Sequence, residues 1–180
     1  MDIVKDTPLK EILKLTPACS CDACNHGCKF GSGYFVDGQI SKVAEYMNIS
    51  LDELKKKYLT KEIMLNRIMY RPKRKREKAK MPFGECIFFD SNKERCKIHL
   101  VKPLQCQIAM GCRDYGEDIM TWFLVNYVLD LDDNESIREY NIYIKSGGKV
   151  LKGGSLKDLI LDKKKLKKIL NMYTNKINYY

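Results

Sequence analysis

Cys19-Ser20-Cys21-Asp22-Ala23-Cys24-Asn25-His26-Gly27-Cys28 places four of the chain's eight cysteines in ten residues. The other four, Cys86, Cys96, Cys106 and Cys112, fall in one later stretch. Residues 19–33 are too rich in Gly, Asn and Cys for side-chain packing alone to hold them, and a metal could supply what a hydrophobic core does not. Cys21, Cys24 and Cys28 come within about two turns if the segment is helical, or around a tight loop if it is not. Either geometry lets the sulfurs converge. Thiolates repel one another, and a bound cation would neutralise them.

Nothing in the remaining sequence favours disulfides over metal. The start, Met1-Asp2-Ile3-Val4-Lys5-Asp6, lacks the charge pattern and apolar segment of a secretory signal, so a cytoplasmic location and reduced thiols are expected. Cytosolic bridges would be expected only of a hyperthermophile. The most apolar run, Met120 to Leu131, is broken by Thr121, Asn126, Tyr127 and Asp130, far short of the ~20 residues that span a membrane. With 44% hydrophobic and 31% charged residues, the chain has the composition of a folded domain.

The net charge of +10 is uneven. Arg71-Pro72-Lys73-Arg74-Lys75-Arg76-Glu77-Lys78-Ala79-Lys80 carries a net +6, residues 145–180 carry +8, and everything else sums to −4. Such segments suit phosphate backbones or an acidic protein partner, so nucleic acid is one candidate partner for residues 71–80 and the C-terminal lysines. The basic run contains no aromatic side chain on which a base could stack. It reads equally well as a solvated linker.

Thr7 as cap and Pro8 in the first turn predict a short helix through Leu13, apolar spacing predicts helices over residues 37–47 and 61–70, and the capping box Ser50-Leu51-Asp52-Glu53 opens another. Cys86-Ile87-Phe88-Phe89 and Arg95-Cys96-Lys97-Ile98 read as a hairpin around a polar turn. Residues 118–129 read as a helix with a strand as the alternative. Residues 140–150 read as a small hairpin turned at Gly147-Gly148, and residues 155–173 as one long basic helix. The expected fold is α+β: a mostly helical single domain organised around a cysteine-ligated metal centre, with small β-hairpins. Residues 1–144 form the metal-binding part, with 71–80 as a linker inside it, and residues 145–180 form a basic hairpin and helix extension.

Phosphate-binding Gly-rich loops, dinucleotide fingerprints, His-Glu-x-x-His and a nucleophile elbow are all missing from the sequence. The carboxylates at 114–135 show no spacing that singles out an acid/base pair. Eight thiols could build two four-ligand sites, or one site with spare thiols, and His26 or His99 could replace a sulfur at a zinc site. Sulfur ligation alone does not choose between zinc and an iron–sulfur cluster.

The motif order resembles the YkgJ-type cysteine-cluster family, a zinc- or iron-chelating group that includes flagellin lysine N-methylases. Cys21, Cys24 and Cys28 match three cysteines of its opening Cys-x-x-Cys-x-x-Cys-Cys, with Gly27 in place of the other. The Gln39 to Leu54 stretch resembles the helix pair that follows. Cys86, Phe88, Phe89, Cys96, Ile98, His99, Lys102, Pro103, Cys106 and Gln107 match the second half, with Gln107 where the family carries Arg. The resemblance implies Cys21, Cys24, Cys28, Cys86, Cys96 and Cys106 as ligands, with Cys19 and Cys112 as the seventh and eighth. Two 4Fe-4S clusters are favoured and zinc is the alternative. The function expected is that of an accessory in electron transfer, cofactor assembly or protein modification, working with a protein partner and without a membrane. The alternatives are a protein-lysine methyltransferase-like enzyme and a nucleic-acid-associated metal module.

Overall fold

Ser50 begins a helix as its capping box requires: its hydroxyl accepts from the Glu53 N–H at 3.1 Å. The computed structural model describes residues 2–16, 22–75, 81, 83–108 and 115–171, with side chains omitted at 22–25. It is α+β, about half helical, with short antiparallel strand pairs. The described residues separate into two units. One comprises Leu9–Glu62 and Ile68–Gly116, and the other Met1–Pro8, Ile63–Arg67 and Glu117–Tyr180.

In the cysteine-bearing unit, helix α1 spans Leu9–Leu15, α2 Asp22–Phe30, α3 Gln39–Tyr46 and α4 Leu51–Tyr58. Residues 61–70, predicted helical, instead belong to strands β1 (Leu59–Met64) and β2 (Arg67–Pro72). Leu65 and Asn66 both have positive φ, 45° and 57°, the paired left-handed turn that suits a two-residue hairpin. The expected linker is only partly a linker. Arg71 and Pro72 end β2, and Arg74–Lys75 forms β3, which pairs with β4 at Glu85–Cys86. Strand β5 (Phe89–Asp90) pairs with β6 (Arg95–Cys96) in the register Phe89↔Cys96. A 3-10 turn at His99–Val101 leads to α5 (Leu104–Ile108). Phe35, Val43, Leu54, Phe88, Phe89 and Ile98 form the core beneath these strands. Each such burial contributes roughly 1.5–3 kcal/mol.

In the other unit, α6 (Gly116–Phe123) runs into a π turn at Leu124–Val128. Trp122 donates to the Thr7 carbonyl at 2.8 Å, which ties the chain's first residues to α6. Residues 140–145 are helical, not half of a hairpin. They end α7 (Asn134–Lys145), where Ile137 and Tyr140 are buried one above the other. The long C-terminal helix is likewise two pieces, α8 (Leu156–Leu159) and α9 (Lys163–Asn171). Ile160 is extended, at φ −122° and ψ 94°. Asp162 then caps the new start, accepting from the Lys164 and Lys165 N–H groups at 2.9 and 3.0 Å. Leu166 and Ile169 pack inward, and the lysines of α9 are exposed. Among the described residues, no helix is long and apolar enough to cross a membrane.

Candidate metal centre

The chain brings Cys28, Cys86, Cys96 and Cys106 together from three regions of sequence. Cys28 lies on α2, Cys86 and Cys96 each end a two-residue strand, and Cys106 sits in the middle of α5. All four are free thiols. Each sulfur lies within electrostatic reach of the other three. Burial, followed by these mutual repulsions, pushes the Cys86 and Cys106 thiols up to about 12. Burial also raises Cys28 and Cys96, with the Lys102 ammonium pulling both the other way. Arg71 does the same for Cys86.

Three of the sulfurs accept a backbone N–H. Phe88 donates to Cys86 and Ile98 to Cys96, each from two residues downstream across a tight turn. The Gly33 N–H donates to Cys106 Sγ at 3.1 Å. Donors of this kind favour the thiolate and fix where its lone pairs point, as outer partners do at metal sites. The donor set, four thiols with oriented N–H partners and two nearby cations, therefore fits a thiolate-bound metal group. Among the described residues, no group of three or more His, Cys, Asp or Glu side chains is placed to hold a metal ion as it stands.

The segment that carries Gly33 is held on both sides. Phe35 bridges to Tyr70 of β2, with its N–H 2.9 Å from the Tyr70 carbonyl. The Tyr34 N–H donates to the Gln105 side chain at 2.8 Å, and Gln39 Oε1 accepts from both Val36 and Leu104 at 3.0 and 2.9 Å. Arg71, only 13% exposed, donates to the Ser32 hydroxyl at 3.0 Å and to the Ser32 carbonyl, and lies over the Tyr34 ring at 4.9 Å. Glu62 accepts from the Tyr34 hydroxyl, from Arg71 at 3.4 Å and from Arg74 at 3.2 Å. Burial alone would raise the Glu62 carboxyl, but these donors outweigh it and hold it below its usual range.

Gly33 cannot carry a side chain without displacing the site. A Cβ there would stand 2.8 Å from both the Cys106 nitrogen and its sulfur. Gly33→Ala is expected to destabilise the unit by roughly 1–3 kcal/mol, the usual cost of overpacking, and to weaken metal retention. Gly31→Ala is the matched control, because its Cβ meets nothing nearer than 3.7 Å. Thermal unfolding and metal content of the two variants check this, and equal behaviour would remove the close-approach argument.

The other predicted site residues divide into two groups. Cys19, Cys21 and Cys112 lie outside the described residues, and so do the side chain of Cys24 and residues 76–80 of the basic run. His26 is exposed and packs its ring on Phe30 at 4.6 Å. His99 is exposed, and burial followed by Lys102 lowers its pKa. The described cations of the basic segment are engaged within the fold. Besides Arg71 and Arg74, Lys73 donates to the Lys56 carbonyl at 2.6 Å and Lys75 pairs with Glu85 at 2.7 Å. Reading the sequence in order missed Gly33 and Arg71 as parts of the site.

Residues 20–123, more than half of the chain, match the family model CxxCxxCC, described as "Putative zinc- or iron-chelating domain". The chain belongs to this family. Comparison with solved structures returns no match. Membership makes this a domain of a zinc- or iron-chelating family.

Proposed function

We propose that Cys28, Cys86, Cys96 and Cys106 ligate an iron–sulfur cluster. In this reading the protein is a cytoplasmic accessory in electron transfer, cofactor assembly or protein modification, acting with a protein partner. One observation carries the proposal: four free thiols from separate elements share a single field. Eight cysteines, enough for two four-thiolate sites, favour a cluster over zinc in this reading. Four thiolates on one zinc, at about 2.3 Å each, stand within roughly 4 Å of one another, whereas a cubane puts each thiolate on its own iron. A bound cluster supplies one-electron chemistry. The chain's residues supply the thiolates, the N–H donors of Gly33, Phe88 and Ile98, and the charges of Arg71 and Lys102. Cys19, Cys21, Cys24 and Cys112 remain as the ligands of a second centre.

Anaerobic purification followed by metal and acid-labile sulfide analysis tests this reading. Iron and sulfide in equal amounts are expected. Zinc without sulfide would replace the cluster with a zinc site, and free thiols without metal would remove both.

A further inference from the structure

Beside Cys96, on the face carrying β5 and β6, lies a cavity of about 690 Å³. It is half open to solvent, lined by Asp90, Lys93, Arg95, Cys96, Lys97 and His99 with Tyr46 of α3 along one side, and all but Asp90 and Cys96 of these are exposed. The volume falls in the range of small-molecule sites, roughly 300–1,000 Å³.

The charge of this cavity is unbalanced. Neighbouring cations of the same unit are matched: Lys75 with Glu85 at 2.7 Å, Lys29 with Glu94 at 3.1 Å, and Arg71 and Arg74 with Glu62. The side chains of Lys93, Arg95 and Lys97 form no hydrogen bond or ion pair with another described residue. The one carboxylate in the wall, Asp90, accepts from the Asn92 and Lys93 N–H groups at 3.1 and 3.2 Å and lies in the field of Lys93 and Lys97, and Lys97 also acts on Glu85. Asp90 stands across from Arg95 in the strand pair without forming an ion pair with it. Three cations against the single charge of Asp90 leave the wall net positive, with side-chain donors that form no hydrogen bond to another described residue. Walls of one sign focus the field and concentrate ligands of the opposite sign.

We infer that this cavity binds a small oxyanion, the phosphate or carboxylate of a small molecule, held by Lys93, Arg95 and Lys97 beside Cys96. Charge-assisted bonds from Arg and Lys to such oxygens are the strong kind, and Arg95 can form a bidentate pair. The Tyr46 ring offers an apolar wall for the rest of the molecule, and His99 offers a further polar contact. A concave pocket of this size suits a small ligand better than an extended polyanion, which would need a basic track. Oxyanion binding requires nothing of the metal. If the proposed centre is present, the ligand lies next to one of its thiolates, which gives that centre a neighbouring small-molecule site.

Equilibrium dialysis of the full chain against radiolabelled inorganic phosphate at near-physiological salt tests this. Malonate and a short oligothymidylate serve as competitors, and metal content is measured in every sample. Saturable phosphate uptake, displaced by malonate, is expected. Joint replacement Lys93→Gln, Arg95→Gln and Lys97→Gln should reduce it by at least about tenfold. The same three changes at Lys163, Lys164 and Lys165 of α9 should leave it intact. If the triple pocket variant does not fold, Lys97→Gln alone should still weaken uptake severalfold. Three results would each overturn the site: no saturable uptake, equal loss in the pocket and α9 variants, or capture of the oligothymidylate in preference to phosphate. Wild type that carries no metal after anaerobic purification, yet takes up phosphate normally, would reject the metal reading and leave this one standing.

Discussion

Cys106→Ser is expected to strip the metal from the site and to lower the thermal stability of the cysteine-bearing unit. The side chain comes from α5, whereas its partners come from α2 and the strand ends. In the proposed centre shared ligation would bind these pieces, and the free energy of metal binding at such a site would add to the stability of the fold. Losing an outer partner of a ligand typically costs about 10–100-fold in metal affinity, and losing the ligand itself should cost more. Cys86→Ser should behave alike. Lys157→Ala, an exposed change on α8, should do neither. Metal content and thermal unfolding of the three variants, measured together, are the check. Full occupancy and unchanged stability in both cysteine variants would show that neither thiol is a ligand.

The second large effect is with pH. Burial pushes Cys86 and Cys106 from an ordinary 9.0 to about 12, so the fold favours the neutral thiols. An unfolded chain sheds those protons near pH 9. The stability associated with the shift is therefore fully present below pH 9 in metal-free protein, and is lost as pH rises from 9 towards 12. A three-unit shift corresponds to about 4 kcal/mol per thiol, and to less than twice that for the two together because they raise each other. Metal inverts the dependence. Ligation requires thiolates, so binding near neutral pH must release protons, and affinity must rise with pH. Denaturant unfolding across pH 7–11 should show the metal-free protein weakening above pH 9 and the loaded protein holding. Parallel curves would separate these thiols from the metal.

The parts of the structure that were legible in the sequence were local. Ser50-Leu51-Asp52-Glu53 carries its cap in four residues, and α3 shows its buried face through Val43 and Ala44. The clustered cysteines pointed to all eight as ligands; Cys28, Cys86, Cys96 and Cys106 lie in one another's field, and Cys19, Cys21, Cys112 and the Cys24 side chain lie outside the described residues. Residues 61–70 misled because Ile63, Met64, Arg67 and Ile68 fit a helical spacing as well as two strands. Of the two turn residues only Asn66 is a usual left-handed type, and Leu65 hides the turn. Residues 140–144 alternate like a strand, but Ile137, Tyr140 and Ile144 share one helical face and pack into the core of their unit. At Ile160 the apolar pattern continues while the backbone does not, so one helix became two. Gly33 and Arg71 belong to the site through contacts more than thirty residues away in sequence, and no local pattern announces such contacts.

The most direct test of the account is the X-ray absorption fine structure at the metal edge of anaerobically purified protein, wild type beside Cys106→Ser. Wild type should show a sulfur-only first shell with iron neighbours beyond it, and Cys106→Ser should show a depleted signal or an oxygen in that shell. A first shell of nitrogen and oxygen in wild type, or a sulfur shell unchanged by Cys106→Ser, would contradict a centre built on these four thiols.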